Sequence, residues 1–280
     1  MTTRRTFVRT SAAALTGAML PRWSAGMMRG ERIERVGVQL YTVRAEMERN
    51  LEDTLARVAE IGYKEVEFAG YFGRSPEQVR STLERLGLSS PSSHMAFEDL
   101  GEHWSRVLDT AKSIGHEYVV VAWTPAEQRR TMDDWKRIAD KFNHAGEQTK
   151  RAGLTFAYHN HDFEFTPIDG HLPFDLLMER TDPSLVKLEM DLYWITLAGG
   201  DPFFYFAKYP GRFPMVHVKD LKRGAKPPMV DVGAGNIDFK AIFTKHKEAG
   251  IEHYFVEHDE PASPFDSISA SYRYLKQLDF

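Results

Sequence analysis

The sequence predicts an α/β fold, a single (β/α)8 TIM barrel over residues 31–280, on three observations. From Val36 onward a short β-branched or aromatic run recurs eight times, each followed by a helical pattern. That alternation is the mark of βαβ units, with parallel strands under covering helices. Several helical patterns stop at a glycine just before the next run, the usual chemistry of a helix-to-strand turn. The length of 280 residues suits one barrel, which typically takes about 250. Hydrophobic residues at 42% and charged residues at 27% support a packed core rather than disorder.

The expected strands are Val36–Thr42, Glu65–Phe68, Ser89–His94, Tyr118–Ala122, Thr155–Asn160, Val186–Leu192, Met215–Lys219 and Tyr254–Glu257. Between the first two, Leu51, Leu55, Val58 and Ala59 keep the 3.6-residue period of a helix that stops at Gly62. Ser75-Pro76-Glu77-Gln78 reads as an N-cap followed by proline at the first helical position, in a helix ending at Gly87. Helices from Trp104 to Ile114, Met132 to Arg151 and Thr244 to Ala249 end at Gly115, Gly153 and Gly250. The stretches 199–202 and 222–231 read as loops after strands six and seven, where barrels build their active sites.

Residues 1–30 are of another kind, an export signal and linker. Thr3-Arg4-Arg5-Thr6-Phe7-Val8-Arg9 precedes an apolar, small-residue run from Ser11 to Leu20. At about ten residues the run is too short for a stable membrane span. The segment resembles a twin-arginine signal, which implies the twin-arginine export machinery as a partner and a periplasmic location. Removing residues 1–26 takes away Arg4, Arg5, Arg9 and Arg22 and no acid, so the formal charge moves from -4 to -8. That balance disfavours a nucleic-acid partner bound by bulk electrostatics. With no cysteine in the chain, any metal must be held by His, Asp or Glu.

Buried strands should be apolar, and charge inside them is costly unless paired or metal-bound. Four successive strands nevertheless end in such residues. They supply His159-Asn160-His161, Glu189-Met190-Asp191, His217-Val218-Lys219-Asp220 and Glu257-His258-Asp259, with Glu67 and His94 on the second and third strands. One shared site for a divalent metal ion, Mn, Co, Mg, Fe or Zn, is the expectation. Gly233-Ala234-Gly235 lacks the strand–turn–helix setting of a dinucleotide fingerprint. Lys222, Arg223 and Lys226 read as a solvated loop rather than a phosphate site.

In order and spacing these segments, with Glu164-Phe165, Trp194, Tyr209-Pro210-Gly211-Arg212 and Asn236-Ile237-Asp238, resemble the xylose-isomerase-like TIM barrel superfamily, in its sugar phosphate isomerase/epimerase branch. The resemblance spans residues 33–280. It implies a metal held by Asp191, His217 and Glu257, with His159 or Glu164 as the fourth ligand. It implies Glu257, His161 and Lys219 as catalytic groups, and Glu67, His94, His161, Trp194 and Lys219 as contacts to a sugar or sugar derivative. The implied activity is a metal-dependent sugar isomerase or epimerase, working by proton abstraction α to a carbonyl and a metal-stabilised enediolate. His159 stands where epimerases of the superfamily carry glutamate, so symmetric two-carboxylate chemistry is in question. A metal-dependent lyase or dehydratase on a keto sugar or glycoside is the alternative, and a non-catalytic sugar-binding barrel the next. The resemblance leaves a homo-oligomer open.

Overall fold

Eight parallel strands close on themselves in the computed structural model, which describes residues 30–224 and 227–280. In chain order the strands are β1 (Gly37–Gln39), β2 (Glu65–Phe68), β3 (Ser89–Met95), β4 (Tyr118–Val121), β5 (Thr155–His159), β6 (Val186–Asp191), β7 (Met215–Val218), β8 (Asp220–Leu221), β9 (Met229–Val230) and β10 (His253–Val256). The barrel runs β1-β10-β7-β6-β5-β4-β3-β2, and β8 with β9 forms a separate hairpin. Glu31–Phe280 make one compact unit. The expected export signal and Lys226 lie outside the described residues. No helix among the described residues is long and apolar enough to cross a membrane.

Side-chain alternation sorts the strands into two cores. Residues turned outward, such as Val66, Val119, Val121, Phe156, Leu188, Met190, Val216 and Val218, join the helices in the large outer core. Val120, Ala157, Met215 and Phe255 form a small separate cluster, the layered filling expected inside such a barrel. Gly37 makes room for it, since a Cβ there would meet the Phe255 ring at 2.6 Å. On top of this plug, the next inward positions are the polar residues of the site.

The expected caps form. Ser75 and Gln78 make a reciprocal capping box around the helix Pro76–Leu86, which ends at Gly87 in the left-handed region. Three expectations change. The first strand is shorter, because Leu40–Val43 turns out of the sheet as a 3-10 helix whose first turn is capped by Gln39. The helix expected from Thr244 to Ala249 is shorter, His246–Ala249, and a separate short helix, Phe239–Phe243, precedes it. The loop expected at 222–231 contributes β9 to the hairpin with β8.

Asp220 explains the glycine-rich stretch after that hairpin. Its buried carboxylate accepts backbone N–H bonds from Gly233 and Gly235 at 2.9 Å, Ile237 at 3.2 Å and Leu221 at 2.8 Å. A Cβ on residue 235 would fall 2.2 Å from Asp220 Oδ1, so only glycine fits. Asp220→Ala strands those donors, and an expected loss of about 2–4 kcal/mol of stability follows. Urea denaturation measures it; a loss below about 0.5 kcal/mol would mean that the loop holds itself.

Candidate metal centre and substrate cavity

Strand parity assembles the site. β6 turns Glu189 and Asp191 inward, and β7 does the same with His217, followed by Lys219 just past its end. Register then sets the neighbours: His159 pairs with Glu189, and Asp191 with His217. Glu257 follows Val256, which pairs with Val218.

His217 lies at the centre. Its Nε2 is 2.7 Å from Glu67 Oε2 and 3.1 Å from Glu189 Oε2. Its Nδ1 is 2.7 Å from Glu257 Oε2 and 4.0 Å from Asp191 Oδ2. Glu67 is fixed in turn, for Gln39 Nε2 donates to Oε2 at 2.8 Å and Ser92 Oγ to Oε1 at 2.6 Å. Glu189 Oε2 also meets His94 Nε2 at 2.8 Å and His159 Nδ1 at 3.0 Å. Lys219 Nζ sits among three carboxylates, 2.6 Å from Glu257, 2.8 Å from Asp259 and 3.1 Å from Asp191.

Burial opposes every charge here; opposite charges outweigh it at Lys219 and Glu257, and it prevails at Asp191. Lys219 loses by burial, yet Asp191, Glu257 and Asp259 hold its pKa well above the ordinary value. Glu257 stays well below the usual carboxylate range because Lys219 and His217 outweigh its burial. Asp191, fully buried, is pushed up to about 6 despite the same two cations. Burial, with Lys219 nearby, takes His161 down to about 3, so its imidazole is neutral.

Two groups of ligand atoms lie close enough to hold a cation: Asp191, His217 and Glu257, and, deeper, His94, His159, Glu189 and His217. The residues present fit a divalent metal. Their donors are carboxylate oxygen and imidazole nitrogen. Glu189 Oε1 is buried without a hydrogen-bond partner; Asp191 Oδ2 is likewise unbonded, although Lys219 Nζ stands nearby. Buried carboxylate oxygens left this way are costly unless a cation meets them.

The three residues expected as ligands on strands six, seven and eight are therefore together. His159 joins them, with Nε2 3.6 Å from Asp191 Oδ2. Glu164 does not: it accepts from the Tyr158 hydroxyl through Oε1 and from the His161 amide, at 2.8 Å, through Oε2. Glu67, expected at substrate hydroxyls, is fully buried with both oxygens on protein donors, and it orients His217 instead. Trp194 stands behind the site, its ring centroid 5.4 Å from that of His161 and 5.9 Å from Lys219 Nζ. Sequence reasoning missed Glu189 as a site residue, although its place two before Asp191 puts both on one strand face.

A cavity of about 470 Å³ opens over this layer, lined by Tyr41, Arg44, His94, Trp123, His159, His161, Lys219, Glu257, Asp259 and Glu260 among others. That is ligand size. His161 makes no side-chain hydrogen bond among the described residues, and its Nδ1 is buried without a partner.

A family model described as xylose isomerase-like TIM barrel matches residues 55–278, and the chain belongs to that family. The inosose dehydratase of Geobacillus thermodenitrificans is 25% identical over 266 residues, 81% of this chain and 89% of the relative. A sugar phosphate isomerase/epimerase from Parabacteroides distasonis superposes with a TM-score of 0.74 at 28% identity, over 90% of this chain and 96% of its own. The IolI protein with a bound zinc atom shares the fold, with a TM-score of 0.72 at 15% identity over 88% of this chain and 99% of its own. The chain is an enzyme of this family.

Two outcomes follow from the geometry. Glu67→Gln weakens the carboxylate that orients His217, so divalent-metal affinity is expected to fall about 10–100-fold. Calorimetric titration reads it, and unchanged affinity rules out the orienting role. Glu164 titrates separately, its carboxyl pushed up to about 7 by burial. The unfolded carboxyl titrates near 4.5, so between these values the folded chain keeps a proton that the unfolded chain has lost. Stability from this group is thus present at low pH and is lost as pH rises through about 7. In Glu164→Gln that slope, worth about 3 kcal/mol, should vanish from urea denaturation across the window; an unchanged slope would assign it to another group.

Proposed function

We propose that the chain is a metal-dependent lyase that removes water or an alcohol from a keto sugar or related keto polyol. The observation that carries this reading is the make-up of the cavity wall opposite Glu257. Two imidazoles, His159 and His161, line it; of the carboxylates on this side, Glu164 is spent on Tyr158 and the His161 amide, and Glu189 turns Oε2 onto His94, His159 and His217. Epimerisation by two facing carboxylates lacks its second member. Elimination needs unlike partners, one group to take a proton and another to support the departing oxygen.

Asp191, His217, Glu257 and His159 would hold the metal. When bound it supplies a Lewis acid that polarises the substrate carbonyl and favours loss of the neighbouring proton. Glu257, held ionised by Lys219 and His217, suits a ligand better than a base. The neutral His161 imidazole is the group placed to take the α-proton. Lys219 Nζ, kept protonated by its three acids, faces the same cavity and supports the leaving oxygen. The inosose dehydratase relatives favour this reading over isomerisation. The bound zinc of IolI favours a divalent ion at the site. The periplasmic location rests on the sequence of residues 1–30 alone.

The test is metal-loaded protein against a panel of aldoses, ketoses, inososes and keto glycosides in D₂O, followed by NMR. Deuterium at the carbon α to the carbonyl, with product lacking the leaving group, is expected. Deuterium exchange into an intact, epimerised or isomerised substrate instead restores the isomerase. Asp191→Asn and His217→Ala are each expected to lower activity by about 100-fold or more and to weaken metal binding. Full activity in His217→Ala would sink the site.

A further inference from the structure

A second cavity of about 580 Å³ adjoins the one over the metal centre. Tyr41, His94, Ala122 and Trp123 line both, so the two are continuous. The second extends over the ends of β2, β3 and β4, past Gly70, Tyr71 and Ala96, to Asp99 and Arg106. The first cavity is already of ligand size, and the second is room beyond what a single sugar ring requires.

The rim between them is unusual for this surface. The large apolar side chains left exposed among the described residues are Tyr41 at 42%, Trp123 at 46% and Phe204 at 53%. Two of the three stand on this one rim. Arg44 covers part of Tyr41, its Cζ 4.1 Å from the ring centroid, and the ring is still open to the cavity. Flat rings of this kind present apolar faces to the C–H side of a sugar or to an aromatic ring. Farther in, Arg106 makes no side-chain bond among the described residues, while Asp99 is engaged by the Ala96 amide at 3.2 Å through one oxygen. A guanidinium and a carboxylate lining one cavity offer donors and an acceptor to hydroxyl groups.

We infer that the substrate is a two-ring glycoside: one ring carries the carbonyl over the metal centre, and the ring joined to it through oxygen is held by Tyr41 and Trp123 in the second cavity. This rests on the lyase reading and names its leaving group. The electron pair of the α C–H bond becomes a carbon–carbon double bond, and the bond from the β-carbon to the bridging oxygen breaks. His161 takes the proton from carbon, the bridging oxygen takes one from Lys219, and the second ring departs as an alcohol. Nothing is oxidised or reduced. Arg106 and Asp99 then set which second ring is accepted.

Binding alone tests the subsite. Methyl, phenyl and glucosyl glycosides of glucose, in both anomers, are titrated calorimetrically into the full chain with Mn²⁺ present. For at least one anomer the phenyl or glucosyl compound is expected to bind about tenfold tighter than the methyl compound. Ala96→Trp, which places an indole in the second cavity, should bring that ratio close to one, and Trp123→Ala should lower it. Equal affinities for methyl and two-ring glycosides, a preference that survives Ala96→Trp, or no binding by any of them overturns the subsite. That same preference, with neither α-deuterium exchange nor loss of the leaving group in the keto glycosides of the panel above, would instead keep the subsite and discard the lyase.

Discussion

Two carboxylates reach one imidazole from different walls of the barrel. Glu67 takes Nε2 of His217, and Glu257 stands on Nδ1. Few side chains can be buried this deeply with both polar atoms in use, and the rest of the polar layer is arranged around it. Glu67 needs Gln39 and Ser92 to occupy its remaining positions. Glu257 needs Lys219, which in turn needs Asp191 and Asp259. Each charge is tolerable because the next has the opposite sign, and breaking one member leaves its neighbour buried and uncompensated. The apolar plug below keeps water from entering that exchange from the opposite end.

The fold was legible because its signals are local. β-Branched runs, helical periodicity and closing glycines all act over a few residues, and the eight barrel strands lie where those signals put them. The hairpin of β8 and β9 was not legible: each strand has two residues, and Pro227 and Pro228 sit in the connection. The residue types of the metal centre could be read, because His and Asp at the ends of buried strands defy the cost of burial. Their division of labour could not. Glu67 and His217 are 150 positions apart, and only barrel closure tells whether Glu67 meets a substrate or a histidine. Glu164 shows the same limit from the other side. It has ligand chemistry and suitable spacing, yet the Tyr158 hydroxyl of the strand before it occupies it.

The barrel and its metal-binding layer are compatible with more than one reaction. Lys219, Glu257 and Asp191 would serve any substrate that develops negative charge next to a carbonyl. The facing wall narrows the choice, since His159 and His161 make the two sides of the cavity chemically unlike. The open aromatic rim at Tyr41 and Trp123 lies on the side away from β6 and β7, so recognition and charge stabilisation draw on different strands.

The carboxylate of Asp220, next in the chain after Lys219, gathers four backbone amides just past the strand that carries His217. It works as a mooring. Movement or altered composition in the stretch between β8 and β9 is stopped at that knot before it reaches Lys219. Insertions there are the kind of change a lineage can accumulate freely, reshaping the entrance to the barrel while the reactive ammonium keeps its place.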